Sequence, residues 1–390
     1  MDRLVYLSNS QIPFRAANSV QVMRMGAAFA AEGLAVTLWH EAGDRILGDP
    51  FAWYGVEPGR VALRQYPDRK SGGRLRRRAG RLARRLGDAA LPAYLGLVAR
   101  PRFVYGRSLP QVAGWLRSPW ARGARTGLEL HVPPERPALL ELLREVAASP
   151  HLSGLVAISP RLRAALLELL PGFPPERLLV APSAGDPVPA GPTPEAPATC
   201  LEGRFRLGYA GGLSAGAGIE TVAEAIRGLD GVVLHVAGGG PEEIVALRSR
   251  LPADAAVRWH GLLPPAAVPG WLAACDALVA PYARDARTLA GTPKAEWMSP
   301  LKLAEYMAAA RPILASDLPA VGDVLADRRT ALLLDPADPA TWRRAVARLR
   351  DEPDLGPRLG SAALATLRDR PTWQARARRV LGFLDGAPTT

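Results

Sequence analysis

The sequence predicts an α/β chain of two halves, each a parallel sheet flanked by helices. Three observations predict it. At 390 residues the chain outgrows a single core, since one core stops growing near about 250–300 residues. Strand-like and helix-like segments alternate from Leu4 onward. A Pro-, Ala- and Gly-rich stretch without periodicity, residues 187–203 (PVPAGPTPEAPATCLEG), then separates this run from a second alternation. The expected division is an N-terminal domain over 1–186, a linker over 187–203, a second domain over 204–370 and a C-terminal helix over 371–390. A ligand crevice is expected where the two halves meet.

Each element has its own signal. The apolar run Leu4–Leu7 reads as the first strand, and Ser8–Pro13 as a loop. Val22, Met25, Gly26 and Phe29 share a helical face from about Ser19, and Gly33 ends that helix. Strands follow at Ala35–Trp39, Phe103–Tyr105, Gly127–His131 and Gly154–Ile158, with helices between. In the second half the strands are Phe205–Ala210, Val232–Ala237, Ala256–Trp259, Ala277–Ala280, Pro312–Ala315 and Ala331–Leu334. Helices are expected near Ile219–Arg227 and over Pro241–Leu251, Ala266–Ala274, Leu301–Ala310, Pro339–Arg350 and Trp373–Leu384.

Composition narrows the function classes. With 48% hydrophobic and 22% charged residues the chain carries enough apolar material for two cores, which argues against wholesale disorder. Cys200 and Cys275 are too few for a disulfide scaffold or a four-ligand zinc site, and a reduced, cytoplasmic setting is expected. The opening MDRLVYLS lacks the basic and apolar regions of a signal peptide. No stretch of 18 apolar residues is free of charge, so no membrane span is expected. The formal net charge is +12, and residues 69–85 alone carry nine Arg or Lys and no acid. That concentration implies one docking surface rather than a general nucleic-acid coat. Within it, Leu75, Ala79, Leu82 and Leu86 form an apolar stripe among arginines. This reads either as a membrane-surface element over 69–86 or as a solvated helix packed by its leucines.

The sharpest local signal is SPLKLAEYMA, from Ser299 to Ala308. Ser299 suits an N-cap and Pro300 the first helical position. Lys302 then falls in the first turn, where the helix dipole disfavours a cation by about 0.3–1 kcal/mol. An anion held by the amides of that turn reverses the penalty. Glu305 shares a face with Lys302, and its carboxylate can accept two hydroxyl hydrogen bonds of the kind a ribose offers. The alternative is an exposed i,i+3 ion pair. The run YAGGLSAGAG (209–218) joins a strand to a helix, and its glycines allow amides to approach a phosphate. Gly238–Gly240 reads as a tight turn. In the first half, His131 ends a strand, where an uncharged imidazole can donate to a hydroxyl, transfer a proton or serve a structural role. Asn9, Gln11, Arg15 and Asn18 supply polar groups at the first strand's edge.

These segments, in this order, resemble the family-4 retaining glycosyltransferases of the GT-B fold. The resemblance spans SNSQIPFRAANSVQVMRMGAAFAAEG, the ELH strand end, VAISPRLRAALLE, LLVAPSAGD, LGYAGGLSAGAGIETVAEAI, VVLHVAGGGPEE, the WHG–CDALVAPY stretch, SPLKLAEYMAAARPILASD and the final TWQARARRVLGFL. It implies two Rossmann-like domains facing each other across a cleft, with the last helix crossing back to the N-domain. It implies a hexosyl-type transfer from a nucleotide sugar to a saccharide, lipid-linked or small-molecule acceptor, with retention of anomeric configuration and no metal. By the same resemblance, His131, Lys302 and Glu305 are the catalytic residues. The donor contacts fall on Gly211, Gly212, Ser299, Leu301, Lys302, Leu303 and Glu305, with Glu305 on the ribose and Lys302 and the amides of 301–303 at the diphosphate.

Three departures accompany it. Trp297 stands where the family carries a Glu, with Glu296 one residue away. Gly212 and Ala217 stand where it carries an Arg and a Lys. Arg284, Arg287 or Lys294 could compensate from a nearby loop. The missing loop cations leave a second reading open, a catalytically silent GT-B protein that binds or activates another transferase. A dehydrogenase is disfavoured, because no G-x-G-x-x-G follows the first strand.

Overall fold

A computed structural model of the chain describes residues 1–66, 91–186, 204–285, 297 and 299–386. The basic segment 69–86 and the linker 187–203 lie outside the described residues. The chain divides into two compact units, Met1–Ser183 with Trp373–Thr390, and Ala184–Thr372.

The first unit is built on seven strands in the order β3-β2-β1-β4-β5-β6-β7. They are β1 (Arg3–Ile12), β2 (Ala35–Ala42), β3 (Val61–Gln65), β4 (Phe103–Gly106), β5 (Arg125–Leu130), β6 (Leu152–Ala157) and β7 (Leu178–Val180), and every pairing is parallel. The strand order reverses between β1 and β4, which makes the C-terminal ends of these strands the expected ligand edge. β1 corrects one expectation: Ser8–Ile12 is strand and not loop. Its register with β2 shifts between Leu7 and Gln11 and then resumes. Ser8 Oγ accepts the Ser10 N–H (3.0 Å), so the irregular stretch satisfies its backbone locally while the strand continues.

The second unit holds β8 (Phe205–Ala210), β9 (Val232–Ala237), β10 (Val257–Gly261), β11 (Ala277–Ala280), β12 (Ile313–Ser316) and β13 (Leu332–Leu334), in the order β10-β9-β8-β11-β12-β13. Alternate residues of each strand enter opposite cores, as the two-residue period demands. Leu207, Ala277, Val279 and Leu314 pack with the helices Ile219–Ile226 and Pro339–Asp351. Leu278, Ala280, Ile313 and Ala315 pack with Leu303, Tyr306 and Met307 of the helix Leu301–Ala308. Burying each such Leu, Ile or Val contributes roughly 1.5–3 kcal/mol, so both helical layers are tied to the sheet by the hydrophobic effect. Here the order reverses between β8 and β11.

The sequence reading misses the helix Leu355–Arg368, whose Gly356, Pro357 and Gly360 look like breakers. It exists because Gly360 lies against the Ala310–Arg311 turn. An added Cβ there would come within 2.2 Å of the Ala310 carbonyl oxygen, so glycine is the residue that permits this approach. Leu355, Leu359, Ala363 and Leu367 are buried on the same element.

Candidate active site

In the second unit, three loops meet at the β8/β11 switch point. The helix Leu301–Ala308 is pinned there by Tyr306. Its buried hydroxyl accepts the Ala210 N–H (2.9 Å) at the end of β8 and lies 3.3 Å from the Val279 carbonyl of β11. Burial holds that phenol well above its ordinary pKa, so it stays neutral. The cap differs from expectation. Pro300, with φ −71° and ψ 110°, is the cap residue, and Ser299 lies outside the helix. The Pro300 carbonyl accepts the first turn's bond from the Leu303 N–H (3.1 Å), which is what a cap carbonyl does. Of the amides expected at a diphosphate, that of Leu303 is therefore already committed.

Lys302 does not reach out as an exposed ion pair; it is half-buried against two tyrosines. Its ammonium lies 3.8 Å from the Tyr209 ring centroid and 5.0 Å from that of Tyr282. The two aromatic faces attract the cation and offset its placement in a first helical turn. Gly211 lies beside it. A Cβ at Gly211 would fall 2.8 Å from Lys302 Nζ, and its φ of +156° is one that side-chain-bearing residues rarely adopt. A Cβ at Gly212 would meet nothing within 4 Å, so this residue borders open space. Its carbonyl accepts the Tyr209 hydroxyl (2.7 Å). Glu305 follows one helical turn after Lys302, and its charge adds to burial and Tyr209 in raising the Tyr282 phenol. Lys302, Gly211, Gly212 and Glu305 are thus brought together. Tyr209 and Tyr282 complete the cradle and were not anticipated; their only sequence signal is an aromatic at each strand end.

The other proposed cations contribute differently. Arg284 Nη2 lies 3.6 Å from Asp335 Oδ1 in an exposed pair, while Arg287 and Lys294 lie outside the described residues. Ala217 is buried and without charge. Gly238–Gly240 forms the expected turn, in which the Glu243 carboxylate accepts the Gly240 N–H (2.7 Å) at the start of the helix Pro241–Arg248.

In the first unit, His131 follows directly after β5, and its Nε2 lies 2.6 Å from Glu129 Oε1. Glu129, which the sequence reading passed over, is a buried hub. Its Oε1 also accepts from Gln21 Nε2 (3.0 Å), and its Oε2 accepts from Arg376 Nη2 (2.8 Å) and the Tyr105 hydroxyl. Arg107 Nε stands 3.8 Å from Oε1. The guanidiniums of Arg376 and Arg107 and the His131 contact hold the Glu129 carboxyl well below its usual range, against the opposing effect of burial. Burial, then the Arg107 charge, push His131 down to about 4, so it is neutral at physiological pH. Arg376 belongs to the helix Trp373–Leu384, where it shares the buried stripe of Trp373, Ala377 and Val380. An Arg on an apolar stripe is the signal that could have found it. The edge amides act within the fold: Gln11 Nε2 donates to the Ala42 carbonyl (3.2 Å) and Asn18 Nδ2 to Ser10 Oγ (3.1 Å). Asn9 and Arg15 are exposed.

A parallel sheet with a lysine and a glycine loop at its switch point can hold an anionic ligand at its C-terminal edge. Residues 204–352, within the second unit, match the family model for glycosyl transferases group 1. The chain has the GT-B fold. It is similar to Anabaena HepE in complex with UDP and glucose, with a TM-score of 0.71 and 15% identity over 99% of this chain and 100% of that one. Sucrose-phosphate synthase from Thermosynechococcus elongatus gives a TM-score of 0.71 and 15% identity over 98% of each chain. A mutant of S. aureus TarM, in complex with fondaparinux, alpha-GlcNAc-glycerol and UDP, gives 0.72 and 9% identity over 99% and 100%. No curated protein matches the sequence.

Proposed function

We propose that the protein transfers a hexosyl group from a nucleoside diphosphate sugar to a hydroxyl-bearing acceptor with retention of anomeric configuration. The observation that carries this reading is the Lys302 ammonium beside Gly211 at the β8/β11 switch point. A cation there stabilises the negative charge that develops on a departing diphosphate. Glu305, one turn along, takes the ribose hydroxyls. His131 acts on a hydroxyl of the sugar or acceptor. UDP and UDP-glucose, found with HepE, support the donor class. The acceptor is a saccharide, a lipid-linked sugar or a small molecule, and the leaving group is stabilised without a metal.

A thermal-shift series with UDP, GDP, dTDP and ADP tests the donor, because a ligand of the native state raises its apparent stability. No shift with any of the four counts against the reading. One observation favours a second reading, a silent binding partner: Gly212 and Ala217 leave the glycine loop without the cations that the resemblance expects. A nucleotide shift without release of UDP from UDP-glucose, across a panel of acceptors, selects it. Peripheral membrane contact through 69–86 rests on sequence charge alone. Co-sedimentation with anionic against neutral vesicles, with Arg76, Arg77 and Arg78 replaced by Ala, tests it.

A further inference from the structure

We propose that Glu129 is a positioning residue that fixes His131 as the imidazole protonated at Nε2, so that Nδ1 accepts a hydrogen bond from a hydroxyl of the bound substrate. The identity of that hydroxyl rests on the transferase reading; the tautomer does not. The argument begins with the 2.6 Å contact between His131 Nε2 and Glu129 Oε1. A carboxylate has only acceptors, so the proton of this bond belongs to the imidazole.

Everything packed around Glu129 keeps it a carboxylate. Gln21 comes from the helix Ala17–Ala31, Tyr105 from β4, Arg107 from just beyond β4 and Arg376 from the C-terminal helix, and each directs a donor or a positive charge at it. Tyr6 of β1 faces the same cluster, and burial and the Glu129 charge hold its phenol neutral. With two guanidiniums already present, a third cation on His131 is disfavoured, which agrees with its lowered pKa. A neutral imidazole protonated at Nε2 has a bare lone pair at Nδ1, on the other side of the ring. Of the roles that the sequence offers His131, donation to a hydroxyl is removed, and receipt of a proton at Nδ1 is the chemistry that this tautomer supplies. The site therefore demands a substrate group that carries hydrogen: a hydroxyl satisfies it, and a methoxy or deoxy analogue leaves Nδ1 without a partner.

The full chain labelled with 15N-histidine reports the tautomer directly, because protonated and bare ring nitrogens resonate far apart. The chain holds five histidines, and His131→Asn identifies the signals to follow. The expected spectrum has Nε2 protonated and Nδ1 bare, without titration between about pH 5 and 8. A proton on Nδ1 in the wild type, or a cationic ring near neutrality, overturns the proposal. In Glu129→Gln, Arg376 and Tyr105 claim the amide oxygen, the amide NH2 turns to His131, and the proton moves to Nδ1. UDP-glucose turnover then falls roughly 10²-fold in kcat, within the range of a positioned proton-handling group, while UDP affinity is unchanged. Glu129→Asp, which keeps the charge, retains the Nε2 proton and recovers part of the rate. A merely structural Glu129 predicts loss of folding in Glu129→Gln without a change of tautomer in the folded fraction. If that variant does not fold, the wild-type spectrum decides alone. If UDP-glucose is not turned over at all, the transferase reading fails and the spectrum still judges Glu129.

Discussion

Arg376 Nη2 lies 2.8 Å from Glu129 Oε2, a buried ion pair between residues 247 positions apart. Both side chains are removed from water, at 2% and 0% exposure. Deleting one partner strands the other charge in the core, which costs about 3–5 kcal/mol. Arg376→Met is expected to lower the urea unfolding free energy by that amount at neutral pH. Arg378→Ala is the control, because Arg378 is exposed in its pair with Glu32 and is worth less than about 1 kcal/mol. Equal effects of the two substitutions would contradict the assignment.

The lowered pKa of His131 makes stability depend on pH with a defined sign. The folded state holds this group neutral down to about 4, while the unfolded chain protonates it near its ordinary value of 6.5. Its contribution is complete above about 6.5 and is lost as pH falls toward 4. His131→Asn removes that loss. The wild type is expected to lose stability more steeply than the variant across this window, by at most about 1.4 kcal/mol per pH unit for one proton. Parallel stability profiles would show that His131 titrates normally. Glu129, lowered well below its ordinary range, adds a further loss only at lower pH, below its unfolded value of about 4.5.

Lys302 and Gly211 are coupled by contact. Lys302→Ala should weaken nucleoside diphosphate binding more than binding of the bare nucleoside, measured by calorimetry. Gly211→Ala places a Cβ 2.8 Å from the ammonium and should weaken the diphosphate in a wild-type background. In the Lys302→Ala background much of that effect should vanish. Additive losses would mean that the two residues act separately.

Glu305→Ala tests the ribose contact. Removing two hydroxyl bonds to a charged acceptor is expected to weaken UDP binding by roughly 1.5–3 kcal/mol. A 2′,3′-dideoxy nucleotide should bind wild type and variant alike. An unchanged UDP affinity in a folded Glu305→Ala protein removes Glu305 from the site.

Transfer is expected to survive chelation. Full activity in EDTA fits leaving-group stabilisation by Lys302 and the helix amides. Loss in EDTA with recovery on adding Mg²⁺ or Mn²⁺ overturns the metal-free account.

The fold was legible where strand residues are buried on both faces. β8, β9 and β11 have the bounds that their apolar runs imply, because such a run leaves only a parallel buried strand as an outcome. The short β3 and β7 went unread, and so did the helix Leu355–Arg368. There the deciding contact is a glycine against the Ala310 carbonyl, which no local pattern encodes. Of the candidate site, the helix start that carries Lys302 and Glu305 and the glycine loop beside it were legible, since helix starts and glycine turns are local features. Its aromatic cradle was not, because Tyr209 and Tyr282 meet Lys302 only through the strand order. Glu129 stood in plain view two residues before His131 but looked like an ordinary strand residue. Its importance comes from Arg376, which local reading treats as a surface cation.

The C-terminal helix has a consequence for synthesis. Ala184–Thr372 interrupts the first unit, whose last structural element is Trp373–Leu384. A chain made from its N-terminus thus presents Glu129 before the second unit and the Arg376 that neutralises it only after that unit. Throughout that interval the β5 carboxylate lacks its principal countercharge. The second unit is contiguous, whereas the first has all seven strands by Val180 and waits only for its last helix. The unit translated first is therefore the one completed last, and a nascent chain stopped before residue 373 carries every strand of both sheets but not the guanidinium that neutralises Glu129.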